Sequence, residues 1–343
     1  MSQTTSPPAP TPETAARPES RPRRGRRAAA RAEAAALPLA WAAICVVFAL
    51  LRPDTFATMD NVSSILGSQA VLVVLAFGLL IPLRCGDFDL SVAGTLTLST
   101  MVVAVLNGQQ GWPLPAAIAV ALLTGALVGL VNGVFVLYFG INSFIVTLAV
   151  GQVLLGLVSM ISDNRIVSGV DQALLDAVVL NRLFGIPLEF YYALLLAVVL
   201  WFVFDHTALG RRLLFVGAGR EVARLSGTNV ARVRLGALVA AGVIAALAGV
   251  LYAGTTGSAD PRGGTAYLLP AFAAAFLGAT SITPGRFNPW GTIIAAYFLL
   301  TGITGLQMLG AQTYVQDLFY GGALVLAVAL SQLLRGRRPQ QFT

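Results

Sequence analysis

Residues 210–234 read Gly-Arg-Arg-Leu-Leu-Phe-Val-Gly-Ala-Gly-Arg-Glu-Val-Ala-Arg-Leu-Ser-Gly-Thr-Asn-Val-Ala-Arg-Val-Arg. This is the longest polar break between apolar segments in the second half of the chain, and it carries six arginines. Within it, Arg220 to Ser226 has the pattern of a short helix. Glu221 sits in the first turn, where the helix dipole favours an anion, and Gly227 suits the position just past the end. Val222 and Leu225 are three apart and share a face. About two turns do not persist alone in water. A helix this short on a basic loop either docks against a partner or belongs to a solvated loop that only sets topology. The residues by themselves leave both readings open.

The rest of the chain explains why that break matters. The 343 residues are 57% hydrophobic and 11% charged, with a mean hydropathy of +0.79. Soluble domains carry about 25% charged residues, so the composition is that of an integral membrane protein. All 22 basic residues are arginine. Without lysine there is no conventional P-loop and no Schiff base. One histidine, His206, and two cysteines, Cys45 and Cys85, do not make a multi-ligand zinc site, and no metal or cofactor is expected on this chain. The cysteines read as packing residues. Arginine in place of lysine, with abundant alanine, fits a GC-rich bacterial genome and a bacterial cell-membrane location.

Apolar segments run over roughly 37–51, 64–83, 91–107, 113–138, 142–161, 190–204, 233–256, 267–281, 289–308 and 315–334. The expected fold is an all-α polytopic membrane protein of eight to ten spans, some short enough to be broken or re-entrant, those at 91–107 and 267–281 above all. Counting ten, with both termini cytoplasmic, puts 18 of the 22 arginines inside and leaves Arg52, Arg165, Arg182 and Arg262 outside. The positive-inside rule supports that arrangement and explains the +7 balance without nucleic acid. It makes 205–234 cytoplasmic and 162–189, with Asp163, Asp171, Asp176 and Glu189, the largest outer loop. Residues 1–36, rich in Pro, Ala and Arg, read as a disordered cytoplasmic tail that touches anionic lipid. Residues 335–343 read as a second basic tail, and 37–334 as the membrane domain.

Two turns interrupt the apolar pattern. Gly86-Asp87-Phe88-Asp89-Leu90-Ser91-Val92-Ala93-Gly94 carries two carboxylates near membrane depth, where acids are expensive and usually face a protein interior or a water cavity. Either Asp89 or Ser91 caps the helix beginning at Val92, or these carboxylates contact a ligand directly. The second turn, from Gly278 to Thr292, is dense in Gly and Pro, and the two halves of the chain resemble each other faintly around these turns. Glycines at 125, 129, 133, 242 and 249 permit close helix approach.

At these residues the chain resembles the ribose-type (simple-sugar) permease subunits of bacterial ABC importers, within the branched-chain amino acid/ribose permease superfamily. Gly86–Val92 is similar to that family's Gly-Gly-Ile-Asp-Leu-Ser-Val. Asn132-Gly133 with Ile141–Leu148 is similar to its Asn-Gly … Ile-Pro-Pro-Phe-Ile-Val-Thr-Leu segment. Gly217–Gly227 resembles Gly-Gly-Asn-Glu-Glu-Ala-Ala-Arg-Leu-Ser-Gly, and Tyr267–Thr292 resembles its last signature. The four blocks fall in order between about 60 and 335. Asp87 stands where the family usually has its second Gly, and Ala93 where it often has Gly. Leu268 and Pro270 stand where many members carry Glu and Asp, and Asn142 replaces Pro.

The resemblance implies a transport subunit, not an enzyme, passing a monosaccharide or similar small polar solute. It implies a second permease chain, cytoplasmic ATPase subunits that bind ATP and Mg, and an extracytoplasmic sugar-binding protein. It assigns coupling to the ATPase to Gly219, Arg220, Glu221, Ala223, Leu225, Ser226 and Gly227, around a Glu-Ala-Ala-x-x-x-Gly-like run. For the substrate pathway the polar residues within the apolar segments, Gln69, Asp87, Asp89, Asn132, Thr147, Gln152 and Gln307, are the candidates, although such residues more often bond helix to helix. The competing class is an ion-coupled secondary transporter using Asp87 or Asp89. A membrane-embedded enzyme is disfavoured by the missing lysine and the lone His206.

Overall fold

The computed structural model describes residues 23–334, and the side chains of 34–329. The tails at 1–22 and 335–343 lie outside the described residues. α1 (Arg23–Leu51) starts well before residue 37, inside the stretch that composition assigns to a structureless tail. Its run Ala-Ala-Ala-Arg-Ala-Glu-Ala-Ala-Ala consists of the strongest helix formers.

α2 (Met59–Ser68) and α3 (Ala70–Arg84) together make one long apolar stretch with a break at Gln69. α4 (Val92–Val103) continues without a gap into a π-helical stretch, Ala104–Gln109. The expected break in 91–107 is therefore a widening of the helix instead. α5 (Leu114–Leu137) and α6 (Ser143–Ser162) follow. The expected outer loop has structure of its own: β1 (Val167–Ser168), α7 (Gln172–Leu175), a π turn at Asp176–Leu180, and the ribbon of β2 (Arg182–Leu183) and β3 (Ile186–Pro187).

α8 (Leu188–His206) leads into α9 (Ala208–Ala218), α10 (Arg220–Leu225) and α11 (Val230–Thr256). β4 (Ser258–Ala259) pairs antiparallel with β1. The fold is thus helical with two small two-stranded ribbons rather than strictly all-α. A 3₁₀ turn at Gly263–Tyr267 enters α12 (Leu268–Gly278), followed by α13 (Pro289–Met308) and α14 (Tyr314–Leu334). The interruption expected around 267–281 lies ahead of α12. There the 3₁₀ turn presses on the first turns of α4, so that a Cβ on Gly264 would meet Thr97 Oγ1 and Ala93 O. Eight helical stretches among the described residues are long and apolar enough to cross a membrane, and 263–278 and 314–329 are shorter apolar helices.

α3 and α11 form the centre. Every residue of α3 is buried, and α11 packs most extensively on α5, α4 and α3. Small residues make the α5–α11 approach possible. A Cβ on Gly129 would lie 2.6 Å from Val239 Cα, and one on Gly125 would strike Gly242 O. Seven residues along α11 from Gly242, Gly249 faces α4, where a Cβ would meet Leu96 O and Ser99. The glycines read from the sequence are thus packing positions.

The helix ends fall into two groups. The turns at 85–91, 138–142 and 279–288 and the segment 207–229 gather at one end. There Phe88 N–H donates to Ser143 Oγ, Arg220 reaches Gly86 O, and Ser281 Oγ donates to Ala34 O in α1. The opposite end holds the β1–β4 ribbon, and Asn107 Oδ1 accepts there from Asp171 N–H.

Candidate functional site

α10 takes the form expected of Arg220–Ser226. The backbone leaves it through a Schellman motif: Gly227 N–H donates to Arg224 O and Thr228 N–H to Ala223 O, both at 3.0 Å. Gly227 has φ +83°, a left-handed conformation that favours glycine. Ala223 is fully buried against the body, whereas Val222 and Leu225 are 62% and 77% exposed. α10 therefore presents two apolar side chains outward, beside Glu221 and Arg224. Those two are joined at 2.6 Å across one turn, and the Arg224 guanidinium holds the Glu221 carboxyl below its ordinary value. Gly219 begins the helix in extended conformation and Ser226 ends it, its hydroxyl donating back to Val222 O and Ala223 O. The seven residues to which the resemblance assigns coupling therefore cluster around one short helix.

α9 and α10 are seated on the end of α3. A Cβ on Gly217 would strike Arg84 O. The Arg84 guanidinium is buried, 4.0 Å over the Phe204 ring and 4.0 Å from Asp205. His206 stacks on Phe202 and meets the edge of Trp201 at the end of α8, so it is a helix-boundary residue rather than half of a catalytic dyad with Asp205.

The two carboxylates of the 86–94 turn have different surroundings. Asp87 is 1% exposed. Its Oδ1 accepts from Arg220 Nη2 at 2.9 Å and Arg234 Nη2 at 2.7 Å, and its Oδ2 from Arg234 Nε at 2.7 Å. A bidentate guanidinium pair is the arrangement that best offsets burying a carboxylate. Asp87 is consequently an ion-pair partner of the α10 segment. Asp89, also 1% exposed, has no cation bonded to it among the described residues. Its Oδ1 accepts from Ser91 N–H at 3.0 Å and Ser91 Oγ at 2.6 Å. Burial pushes the Asp89 carboxyl up to about 6, against the opposing pull of the two Ser91 bonds.

Asp89 thus makes the structural turn ahead of α4. Ser91 Oγ accepts from Asn132 Nδ2 at 2.8 Å and does not cap α4. Thr147 closes the group from α6, its hydroxyl accepting from Leu90 N–H at 2.9 Å. Asp89 Oδ2 and Asn132 Oδ1 have no hydrogen-bond partner among the described residues.

The structure therefore brings together Asp89, Asn132 and Thr147 from the expected pathway set. Gln152 lies on the exposed face of α6, and Gln307 lies near the far end of α13, its Nε2 3.5 Å from Gln316 Oε1. Gln69 is buried at the break between α2 and α3. Sequence reasoning missed Arg234 as the main partner of Asp87. A buried carboxylate demands a cation, but six arginines in one segment gave no means of choosing among them. It also placed Glu189 in an outer loop. Glu189 is a buried residue of the first turn of α8, accepting from Thr255 Oγ1 at 3.0 Å.

Comparison with known proteins places these features in context. The family model described as "Branched-chain amino acid transport system / permease component" matches residues 61–328. The chain is 32% identical over 293 residues to the D-allose transport system permease protein AlsC of Escherichia coli (strain K12), covering 85% of this chain and 90% of that protein. It is 32% identical over 291 residues to the ribose import permease protein RbsC of the same strain, covering 83% and 89%. It is 27% identical over 355 aligned positions to that strain's xylose transport system permease protein XylH, covering 86% and 90%. No solved structure matches.

Proposed function

The chain belongs to the family of branched-chain amino acid transport system permease components, and from that premise we propose that it carries a monosaccharide or similar small polar solute through a bacterial cell membrane as the permease subunit of an ABC importer. It is a transport subunit and not an enzyme; ATP hydrolysis resides on separate subunits. The sugar class rests on the relatives, whose names specify allose, ribose and xylose. The partners are a pair of cytoplasmic ATPase subunits that hold the ATP and Mg, a second permease chain, and an extracytoplasmic sugar-binding protein. The end bearing α10 faces the cytoplasm and both termini lie there, as the arginine distribution favours.

One observation carries the mechanism. α10 is a short helix beyond the apolar spans, with its small face buried on the body and Val222 and Leu225 turned outward. In this reading an ATPase groove receives that apolar face, and closure of the ATPase pair on nucleotide moves α10. The seat of α9 and α10 on Arg84 and Asp87 passes the movement to the spans. Such a device needs a bistable element biased by a ligand at another site. Sugars call for hydrogen bonds rather than charge. The group of Asp89, Ser91, Asn132 and Thr147 supplies acceptors without a cation, and we place the inner polar step of the pathway there. Of the two carboxylates that an ion-coupled transporter would use, Asp87 is held by two arginines, which disfavours it as an ion site.

The test is to purify the solubilised chain from its native cell and identify what accompanies it. A P-loop ATPase, with a sugar-binding protein, is the expected outcome. Glu221→Ala and Gly227→Asp are then expected to abolish uptake while the chain stays inserted. A chain that comes alone and moves solute in liposomes under an ion gradient refutes the proposal.

A further inference from the structure

We propose that Asp87 is a positioning residue, the joint through which α10 moves the turn at 85–91 and, beyond it, α11. The inference rests on the importer reading and adds to it which contact carries the movement.

Three features single out this carboxylate. Among the described residues it is the one side chain through which α10, the 85–91 turn and α11 are bonded together, by Arg220 on α10 and Arg234 on α11. Its two partners are unequal. Arg234 grips both oxygens and its side chain is 13% exposed, whereas Arg220 makes one bond and its side chain is 47% exposed. The inner bond stays buried, and the outer one reaches solvent. Arg234 therefore fixes the carboxylate to α11, and Arg220 is the half-exposed link by which α10 reaches it. Arg220 Nη2 also donates to Gly86 O at 3.1 Å, so displacement of α10 pulls on the turn's backbone as well as on the carboxylate.

The turn is short and tied at its other end. Two residues on, Asp89 holds Ser91, which holds Asn132 of α5. Phe88 and Leu90 donate their N–H groups to Ser143 and Thr147 of α6. Movement at Asp87 thus reaches the polar group and three helices with no flexible segment between. Asp87 and Phe88 stand where the resembled Gly-Gly-Ile-Asp motif has Gly and Ile; a glycine at position 87 makes neither ion pair.

The turn contains its own reporter. Cys85 is fully buried at the start of the turn, and burial pushes its thiol up to about 12, so it reacts only when the turn opens. The experiment uses the complex purified through a tag on its ATPase subunit, with Cys45→Ser to leave Cys85 as the sole thiol of this chain. The rate of modification by methyl methanethiosulfonate is measured without nucleotide and after trapping with ATP, Mg and vanadate. The expected result is at least a fivefold change in the Cys85 rate on trapping. In Asp87→Asn, and independently in Arg220→Gln, the two rates are expected to agree within twofold, and Asp87→Glu is expected to restore the response. A merely structural role alters both rates together and leaves their ratio in place. The proposal is overturned if either variant keeps the full nucleotide response, or if the unsubstituted turn shows none. Failure to recover any ATPase subunit with this chain refutes the importer reading instead, so the two failures are distinct.

Discussion

Gly242 and Gly236 lie on the same helix and meet opposite surroundings, which isolates the energetic weight of the central helix crossing. A Cβ added at Gly242 lies 3.1 Å from Gly129 N and strikes Gly125 O, both backbone atoms of α5. One added at Gly236 meets nothing within 4 Å. Backbone atoms do not rotate aside, so Gly242→Ala must part α5 from α11. Both substitutions gain the same helix propensity, about 1 kcal/mol. Their difference is therefore the cost of overpacking, about 1–3 kcal/mol. Gly236→Ala is expected to stabilise by up to ~1 kcal/mol, and Gly242→Ala to fall below it by the overpacking cost. The assay is equilibrium unfolding of the chain in mixed micelles by titration with SDS, followed by circular dichroism. Equal shifts for the two variants, within about 0.5 kcal/mol, refute the claim that α5 and α11 touch backbone to backbone; surface substitutions generally fall within that range.

Two further outcomes follow from the buried acids. The folded-state pKa of Asp89 is raised, so its contribution to stability is full below the ordinary carboxylate value of 3.8 and is lost as pH rises through about 6. Asp89→Asn is expected to flatten the part of the stability-versus-pH curve between those limits, worth up to about 3 kcal/mol for a two-unit shift; identical slopes in the variant and the parent contradict the assignment. Thr255→Val removes the hydroxyl that bonds Glu189. It is expected to cost about 1–3 kcal/mol in the same unfolding assay, and no loss means that Glu189 is satisfied in another way.

Much of the fold was legible because membranes leave the backbone few choices. Each of the ten apolar segments contains a helix, and α10 lies where Glu221 and Gly227 mark its two ends. The errors have physical causes. Ala28–Ala36 carries no apolar periodicity, yet its propensity is sufficient for helix. The break expected in 91–107 is a π-helical stretch, because short apolar runs do not reveal a change of helical pitch. Glu189 looked like a loop acid because loop and first turn have the same composition; only the packed structure shows Thr255 beside it. The pathway set was least legible. A polar residue in a span has the same sequence signature whether it faces a neighbour, as Thr147 does, or the outside of a helix, as Gln152 does. The pairing of Asp87 with Arg234 joins residues 147 positions apart, which no local pattern encodes.

α11 is fastened at both tips. Arg234 is bonded to Asp87 at one, and just past the other Ser258–Ala259 is stitched to Val167–Ser168. The helix as a whole is 27 residues long, a rod of about 40 Å. Between the tips, Ser99 and Thr100 of α4 donate to Ala246 O and Gly249 O, and glycines bring the rod onto the α5 backbone. A rod pinned at its middle as well as at its tips moves as one piece, so in the proposed coupling a displacement of Arg234 is carried to the ribbon at the opposite face of the protein.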